Sequence, residues 1–174
     1  MSTIEKQTRN EPYVLTRDSG LYDVWFPSTP DAPGRYRAKV AGAQTEGRLS
    51  QVHLVEPRGA APPVHFHHDA DETIYVIDGQ INVFRGDERI DAGPGAFLFV
   101  PKGAVHTWLV RSEQAELFLS LAPAGLEGFF AEVGSAVIPG EPMPSETDVD
   151  FQEMNRRAEA YGVEFVGPPP TLHD

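Results

Sequence analysis

Short apolar runs, each bounded by turn residues, follow one another through the middle of the chain. They are rich in β-branched and aromatic residues, and no helical pattern separates them. We expect Asp78-Gly79 to form a hairpin turn, because a two-residue turn with positive φ matches the twist of paired strands. This spacing predicts an all-β antiparallel barrel or sandwich. The predicted strands are 37–40, 49–55, 64–67, 72–77, 81–84, 88–91, 96–100, 105–110 and 115–122.

The segment before these strands is more polar. Residues 1–12 predict a loosely ordered arm, and residues 13–15 and 21–26 are apolar enough for short edge strands. Large aromatic residues favour protein interiors. The residues expected mainly in the core are Phe66, Phe97, Phe99 and Phe118.

The segment after the strands changes to helical patterns. Residues 125–133 predict a short helix, and the three prolines of residues 138–148 predict a linker. Residues 150–161 predict a second helix that ends at Gly162, with Asp148 or Asp150 as its N-cap. Its apolar residues form one stripe, which we expect to pack on the barrel or on a partner subunit. The stripe consists of Phe151, Met154, Ala158 and Tyr161.

Length and charge limit the class of protein. With 174 residues, one domain is expected over 1–174. We expect this domain to consist of an N-terminal arm with strands (1–35), a barrel core (about 36–122) and a helical C-terminal extension (123–174). The net charge of −12 argues against nucleic acid and anionic membranes as partners. The absence of cysteine excludes disulfides and thiolate metal sites. No signal pattern or membrane-spanning run is evident, so we expect a cytoplasmic protein.

A cluster of potential metal ligands lies in the middle of the barrel segment. His65 and His67 are two residues apart, so on a strand both imidazoles lie on one face. A four-residue loop then brings Glu72 back on the neighbouring strand, and His106 follows on a later strand. Three imidazoles and one carboxylate suit a divalent first-row metal. The residues alone leave two interpretations open, a metal site or a polar surface loop.

Apolar residues share the strand faces of two of these candidates. Ile74 and Val76 lie on the face of Glu72, and Trp108 lies on the face of His106. Trp108 offers a flat wall for an aromatic substrate, with packing in the barrel core as the alternative. His68 points away from His67 in an extended register and is interpreted as solvent-facing or as a support for a ligand. His53 is interpreted as a barrel histidine with satisfied hydrogen bonds.

Two segments resemble the motifs of the cupin superfamily. The spacing Gly59-x5-His65-x-His67-x4-Glu72-x6-Gly79 is similar to the first cupin motif, and Gly95-x5-Pro101-x-Gly103-x2-His106 is similar to the second. One departure is Val110, where the second motif often ends in asparagine. The resemblance implies a cupin (double-stranded β-helix, jelly-roll) barrel with short C-terminal helices. It also implies a metal site at His65, His67, Glu72 and His106 that binds Fe, Ni, Mn, Co, Cu or Zn.

A narrower resemblance concerns the length of the barrel and the C-terminal region, including Phe129-Phe130 and Tyr161 to Phe165. In these features the chain resembles bacterial single-domain cupins grouped with quercetin 2,3-dioxygenases. This resemblance implies O2-dependent cleavage of a flavonol or a related phenolic or enolic substrate. Glu72 would act as the catalytic base, and the expected substrate contacts are Trp108, Ile74 and Val76.

Two other functions suit the same ligands. One is a metal-dependent isomerase, decarboxylase or hydrolytic enzyme that needs no O2. The other is a non-enzymatic cupin that binds a metal or a small ligand. Because open edge strands tend to be covered or paired, we expect a homodimer, formed through strands 13–15 and 21–26 and the helix at 150–161.

Overall fold

The computed structural model describes residues 11–144 and 150–174. The predictions for residues 1–10, for the linker after residue 144 and for Asp148 as a helix cap lie outside the described residues, as does the side chain of Phe151.

Within these ranges the chain forms twelve strands and three helices. The strands are β1 (Asp23–Phe26), β2 (Gly34–Val40), β3 (Ser50–Pro57), β4 (Val64–His67), β5 (Asp71–Asp78), β6 (Ile81–Arg85), β7 (Glu88–Ala92), β8 (Phe97–Val100), β9 (Thr107–Val110), β10 (Gln114–Ala122), β11 (Ser135–Ala136) and β12 (Val163–Gly167). The helices are α1 (Gly42–Thr45), α2 (Leu126–Val133) and α3 (Phe151–Glu159).

The strands form three antiparallel sheets. The largest has the order β11-β1-β2-β3-β10-β5-β8, and the smaller ones have the orders β7-β6-β9 and β12-β4. A bridge between His65 and His106, with backbone N–O distances of 3.0 and 2.9 Å, joins the two smaller sheets. The core cluster draws side chains from the large sheet and from the joined small sheets. The predicted all-β antiparallel architecture is therefore confirmed.

The turn at Asp78-Gly79 differs from the prediction. It connects β5 to β6, which lie in different sheets, so it does not close a hairpin. Gly79 has φ 83°, and a Cβ there would overlap with the backbone oxygen of Gln114. Glycine is therefore needed at this crossing between sheets. The hairpin forms one connection later, where β6 and β7 pair and Arg85 stands opposite Glu88.

The expectation that the four phenylalanines lie in the core is wrong for two of them. Phe97 and Phe99 are 64% and 61% exposed, and Phe66 and Phe118 are half-buried. In β8 the alternate residues Leu98 and Val100 stand opposite Ile74 and Glu72 and take the inward positions. The alternation of the strand then turns Phe97 and Phe99 outward.

The N-terminal strands are only partly as predicted. Residues 13–15 form no strand, although the Tyr13 hydroxyl donates a hydrogen bond to the carbonyl of Lys39 at 2.7 Å. The strand predicted at 21–26 is present as β1. Because β1 pairs with β2 on one side and β11 on the other, it is not an open edge.

Both predicted C-terminal helices are present, as α2 and α3. Asp150 is the N-cap of α3, and its carboxylate accepts hydrogen bonds from the backbone N–H groups of Gln152 and Glu153, both at 3.0 Å. Met154 and Ala158 are buried in the core cluster, so the stripe of α3 packs on the barrel of its own chain. The four-residue α1 was not predicted. Nowhere in the described ranges is a helix both long enough and apolar enough to cross a membrane.

Candidate metal centre

Three separate segments bring the predicted ligands together. His65 and His67 lie on β4, Glu72 lies on β5, and His106 immediately precedes β9. All four side chains are buried. Each offers one potential ligand atom, and these four atoms lie within 4.8 Å of one another. The sequence left two interpretations of these residues open, a metal site or a polar surface loop. Their burial argues against the surface loop.

The route by which Glu72 reaches the histidines differs from the prediction. β4 does not pair with β5, as the loop prediction required; it pairs with β12, and His65 bridges to His106. Glu72 comes from the large sheet, where it stands opposite Leu121 on β10. The ligand set therefore spans the two layers of the barrel, and both layers must be in place for the four groups to meet.

Backbone carbonyls orient two of the imidazole rings. The Nδ1–H of His65 donates to the carbonyl of Pro63 at 2.7 Å, and the Nδ1–H of His106 donates to that of Ala104 at 2.9 Å. A carbonyl can only accept, so Nδ1 carries the proton in both rings. Neutral rings of this tautomer present an unprotonated Nε2, which is the usual state of a metal-bound histidine.

The remaining contacts indicate a site built for a cation. Nε2 of His106 lies 2.7 Å from Oε2 of Glu72, and Nε2 of His67 lies 3.3 Å from the same oxygen. His67 Nε2 is buried and makes no hydrogen bond within the part of the chain that the structure describes. With neutral rings, lone pairs of nitrogen and oxygen would face one another at these distances, unless a proton or a cation stands between them. The residues present thus fit a divalent metal ion.

The electrostatics favour the ligand forms of two groups. Burial, with a smaller effect from His106, lowers the pKa of His65 to about 4. Burial alone would raise the pKa of Glu72, but contacts with His106 and His67 outweigh it and hold that pKa well below its usual range. Burial likewise opposes protonation of His106, yet its hydrogen bond to Glu72 raises its pKa. At neutral pH Glu72 is therefore a carboxylate and His65 is neutral.

A mostly apolar cavity of about 80 Å³ extends from this cluster into the barrel. His65 and Glu72 line it at the cluster, and Ile74 and Trp108 line its wall. Its volume is smaller than the roughly 300 Å³ or more of typical ligand pockets. A small single-ring molecule therefore fits with less movement of side chains than a flavonol does.

The structure places the other candidate residues as follows. Val76 is buried opposite Leu117 but is not among the residues that line this cavity. His68 is exposed and lies 3.1 Å from Glu164, as its outward register predicted. His53 is buried with Nε2 2.6 Å from Glu116, while its Nδ1 has no partner, so it is only half satisfied.

Glu56 is a cavity residue that sequence reasoning missed. It lies on β3 and is 1% exposed, and it lines the same cavity as Glu72. A signal for it existed, because Val52, Leu54 and Glu56 alternate along one face of β3. The predicted strand ended at Val55, one residue too early for the glutamate to be placed on that face.

Comparison with known proteins agrees with this architecture. Residues 51–121 match the family model of the Cupin domain. The matched segment and the described barrel show that the chain contains a cupin domain with a jelly-roll fold.

In sequence it resembles a quercetin 2,3-dioxygenase, as predicted. The chain is 30% identical to quercetin 2,3-dioxygenase of Bacillus subtilis (strain 168) over an alignment of 147 residues, which covers 82% of this chain and 42% of that protein. The chain thus spans less than half the length of this relative.

Solved structures share the fold. A predicted oxalate decarboxylase of Thermotoga maritima has a TM-score of 0.57 and 11% identity, covering 64% of this chain and 99% of that chain. A polyketide cyclase of Streptomyces resistomycificus has a TM-score of 0.52 and 23% identity, covering 65% and 79%. At these identities the likeness concerns the fold alone.

Proposed function

We propose that this cupin is a metal-dependent dioxygenase of the quercetin 2,3-dioxygenase-like type, which uses O2 to cleave a flavonol or a related phenolic or enolic substrate. The observation that carries the proposal is the buried group of three histidines and one glutamate at the end of an apolar cavity. The named activity of the Bacillus subtilis relative supports the choice of reaction.

The proposed metal ligands are His65, His67, Glu72 and His106. When bound, a divalent transition metal (Fe, Ni, Mn, Co, Cu or Zn) supplies Lewis acidity that favours the ionised form of a substrate hydroxyl. The backbone carbonyls of Pro63 and Ala104 fix the rings of His65 and His106. The carbonyls thus keep the ligand geometry constant while the substrate changes.

Glu72 is proposed to take the proton of that hydroxyl. Its contacts with His106 and His67 hold its pKa low, so loosening these contacts makes the carboxylate a stronger base. The apolar wall, including Trp108 and Ile74, excludes water and leaves room for the flat ring of a substrate. With a flavonol, both atoms of O2 enter the organic product and one ring carbon leaves as carbon monoxide. The substrate supplies all the electrons, so no external reductant is needed.

The test combines metal analysis with an oxygen electrode. Metal-loaded protein is given quercetin or a smaller hydroxylated aryl ketone, and O2 uptake, substrate loss and carbon monoxide are measured. We expect O2 uptake equal to substrate loss, with carbon monoxide from the flavonol. Equal substrate loss with and without O2 would refute the dioxygenase and favour an isomerase or decarboxylase. Tight binding without turnover under either gas would favour a non-enzymatic cupin.

A Glu72→Gln variant separates the two roles of this residue. Loss of turnover with metal retained is expected from a base. Loss of the metal would leave Glu72 as a ligand only. Glu116→Gln is the matched control, because Glu116 is a buried glutamate on β10 that does not line the cavity.

A homodimer and a cytoplasmic location remain predictions. The surfaces first expected to pair are used within the chain, since β1 is covered on both sides and α3 packs on its own barrel. Light scattering at micromolar concentration tests the dimer, and a monomer would refute it.

A further inference from the structure

Glu56 is a second buried carboxyl group in the cavity, and the proposed reaction leaves it without a role. It follows Val52 and Leu54 on the inward face of β3. Around it the cavity is lined by aromatic and aliphatic side chains, and no lysine or arginine is among the described lining residues. A carboxyl group in such surroundings needs a hydrogen-bond partner for each oxygen.

Among the described residues, only one oxygen of Glu56 has a hydrogen-bond partner. The Tyr36 hydroxyl donates a hydrogen bond to Oε1 of Glu56, and burial together with Glu56 raises the pKa of Tyr36 well above its usual range, so it stays a donor. Oε2 of Glu56 is buried, and no group in residues 11–144 or 150–174 donates a hydrogen bond to it. It lies so close to Gly34 that a Cβ at this position would overlap with it. Tyr36 and the backbone of Gly34 therefore restrict the carboxyl group.

The ring of Tyr36 is itself held in place. It stacks on Phe26 with ring centroids 4.6 Å apart and meets Phe130 edge to face at 5.0 Å. The hydroxyl that holds Glu56 is thus fixed in place, and so is the carboxyl group of Glu56 at the wall of the cavity.

Glu56 and Glu72 lie at different ends of the barrel interior. Glu56 stands opposite Ala115 on β10, whereas Glu72 stands opposite Leu121 on the same strand. Six residues of β10 separate these two positions, so the two side chains enter the cavity from different ends. Each side chain extends inward from its strand, and the cavity between them is apolar.

We propose that Glu56, held by Tyr36, is the hydrogen-bond partner of a second hydroxyl group of the substrate, at the end of the cavity away from Glu72. This inference rests on the proposed function, because the first hydroxyl is the one that faces the metal ligands. The substrate class is a neutral, elongated, apolar molecule with a hydroxyl group at each end.

A hydroxyl group suits Glu56 in either of its states. Burial raises the pKa of Glu56 to about 7, although the neighbouring hydroxyl groups of Tyr36 and Ser28 lower it. A protonated Glu56 can donate from Oε2 to the substrate oxygen, and an ionised one can accept from the substrate O–H. An anionic group in this place would meet no cation among the described lining residues.

The test compares ligands that differ by one hydroxyl. Metal-loaded protein is titrated without O2, by fluorescence, with 3-hydroxyflavone, 3,4′-dihydroxyflavone and 3,7-dihydroxyflavone. We expect one of the two diols to bind about tenfold more tightly than 3-hydroxyflavone, the size of one hydrogen bond to a charged or strongly polar group. If the flavones do not enter the cavity, 2-hydroxyacetophenone and 2,4′-dihydroxyacetophenone replace them. No preference for a diol in either set overturns the inference.

Two variants show whether Glu56 makes the contact. Glu56→Leu should abolish the preference and leave the affinity for 3-hydroxyflavone (or 2-hydroxyacetophenone) within about twofold, because the lost contact involves only the second hydroxyl. Glu56→Gln, which keeps hydrogen-bonding atoms in place, should restore part of the preference. Glu116→Gln should behave as the wild type. If Glu56→Leu weakens every ligand equally, Glu56 only supports the structure and the inference is wrong.

The same measurements separate this inference from the proposed function. A Glu56-dependent preference in protein that never consumes O2 would retain the inference and reject the dioxygenase. O2 uptake that is equal with the mono- and dihydroxylated ligands, in wild type and Glu56→Leu alike, would retain the dioxygenase and reject the role of Glu56.

Discussion

Glu72 and Glu56 are both buried carboxyl groups of one cavity, yet their pKa values move in opposite directions. The pKa of Glu72 is held low although burial opposes this, because His106 and His67 contact its carboxylate. The pKa of Glu56 rises to about 7 through burial, because its contacts with Tyr36 and Ser28 come from uncharged hydroxyl groups. Neighbours, rather than depth of burial, thus decide which end of the cavity carries a charge. One end suits a cation, and the other suits a neutral polar group.

Among substitutions that distinguish the Glu72 end of the cavity from the Glu56 end, we expect His106→Ala to have the largest effect. Removing a ligand should lower metal affinity by about 100-fold or more, since even groups that only support a ligand change it by about 10–100-fold. Metal content after dialysis against a weak chelator measures this. His53→Ala is the matched control, because His53 is a buried histidine outside the cluster. If both variants retained the metal equally, His106 would not be a metal ligand. The proposed contrast between a cation-binding end and a neutral end of the cavity would then be wrong.

The stability that depends on Glu56 should fall as pH rises. The stability that depends on an ordinary ion-paired carboxylate instead rises with pH. The folded protein keeps the Glu56 proton up to about pH 7, whereas the unfolded chain loses it near the ordinary value of 4.5. The folded state therefore binds more protons between these values, and its stability falls as pH rises through them, by about 3 kcal/mol in total. The free energy of unfolding of Glu56→Gln should lack this fall.

The control for this prediction is Glu116→Gln. Burial would raise the pKa of Glu116, but Arg17 and His53 outweigh it and lower that pKa. Its contribution is therefore present above its unfolded pKa and is lost as pH falls. Denaturant titrations from pH 4.5 to 8 should show a fall with pH when Glu56→Gln is subtracted from the wild type, and no slope when Glu116→Gln is subtracted, because the Glu116 contribution changes only below the unfolded value of 4.5. Parallel slopes would contradict the assigned states.

Gly34→Ala should disturb the Glu56 end alone. The added methyl group would overlap with Oε2 of Glu56 and lie 2.5 Å from Oγ of Ser28, so we expect a loss of about 1–3 kcal/mol. Metal content should not change. Combining it with Glu56→Ala should recover part of the loss, because the overlapping carboxyl group is then gone. Strict additivity in this double-mutant cycle would mean that the two residues do not compete for space.

Tyr36→Phe should have the smallest effect, a loss of about 1 kcal/mol for one hydrogen bond. Because the hydroxyl of Tyr36 lowers the pKa of Glu56, its removal should also extend the fall in stability above pH 7. Tyr22→Phe is the control, since the hydroxyl of Tyr22 donates to the backbone carbonyl of Glu127 at 2.7 Å. A similar pH profile in both variants would show that Tyr36 does not tune Glu56.

The group of proposed metal ligands could be predicted from the sequence because most of its members lie close together in the chain. His65, His67 and Glu72 fall within eight residues, and only His106 had to be placed from further along the chain. The number and position of the central strands also follow from local turns. Strand pairing does not, because it depends on contacts far apart in sequence, and the partner of β4 proved to be β12.

The faces of strands were harder to predict than the strands themselves. Alternation divides Phe97 and Phe99 from Leu98, but it does not say which set is inside, and the larger aromatic residues proved to be outside. Glu56 was missed for a related reason. A strand taken to end at Val55 leaves the next residue in a loop, where a glutamate needs no explanation.

The pairing of β4 with β12 also sets the order of events during synthesis. Val163 and Phe165 stand opposite His67 and His65, about 100 residues later in the chain. At about 5–20 residues per second, a ribosome needs roughly 5–20 s to make the intervening chain. Until then the strand that carries both histidines has an open edge. All four proposed ligands are thus synthesised before the strand that pairs with the backbone of His65 and His67.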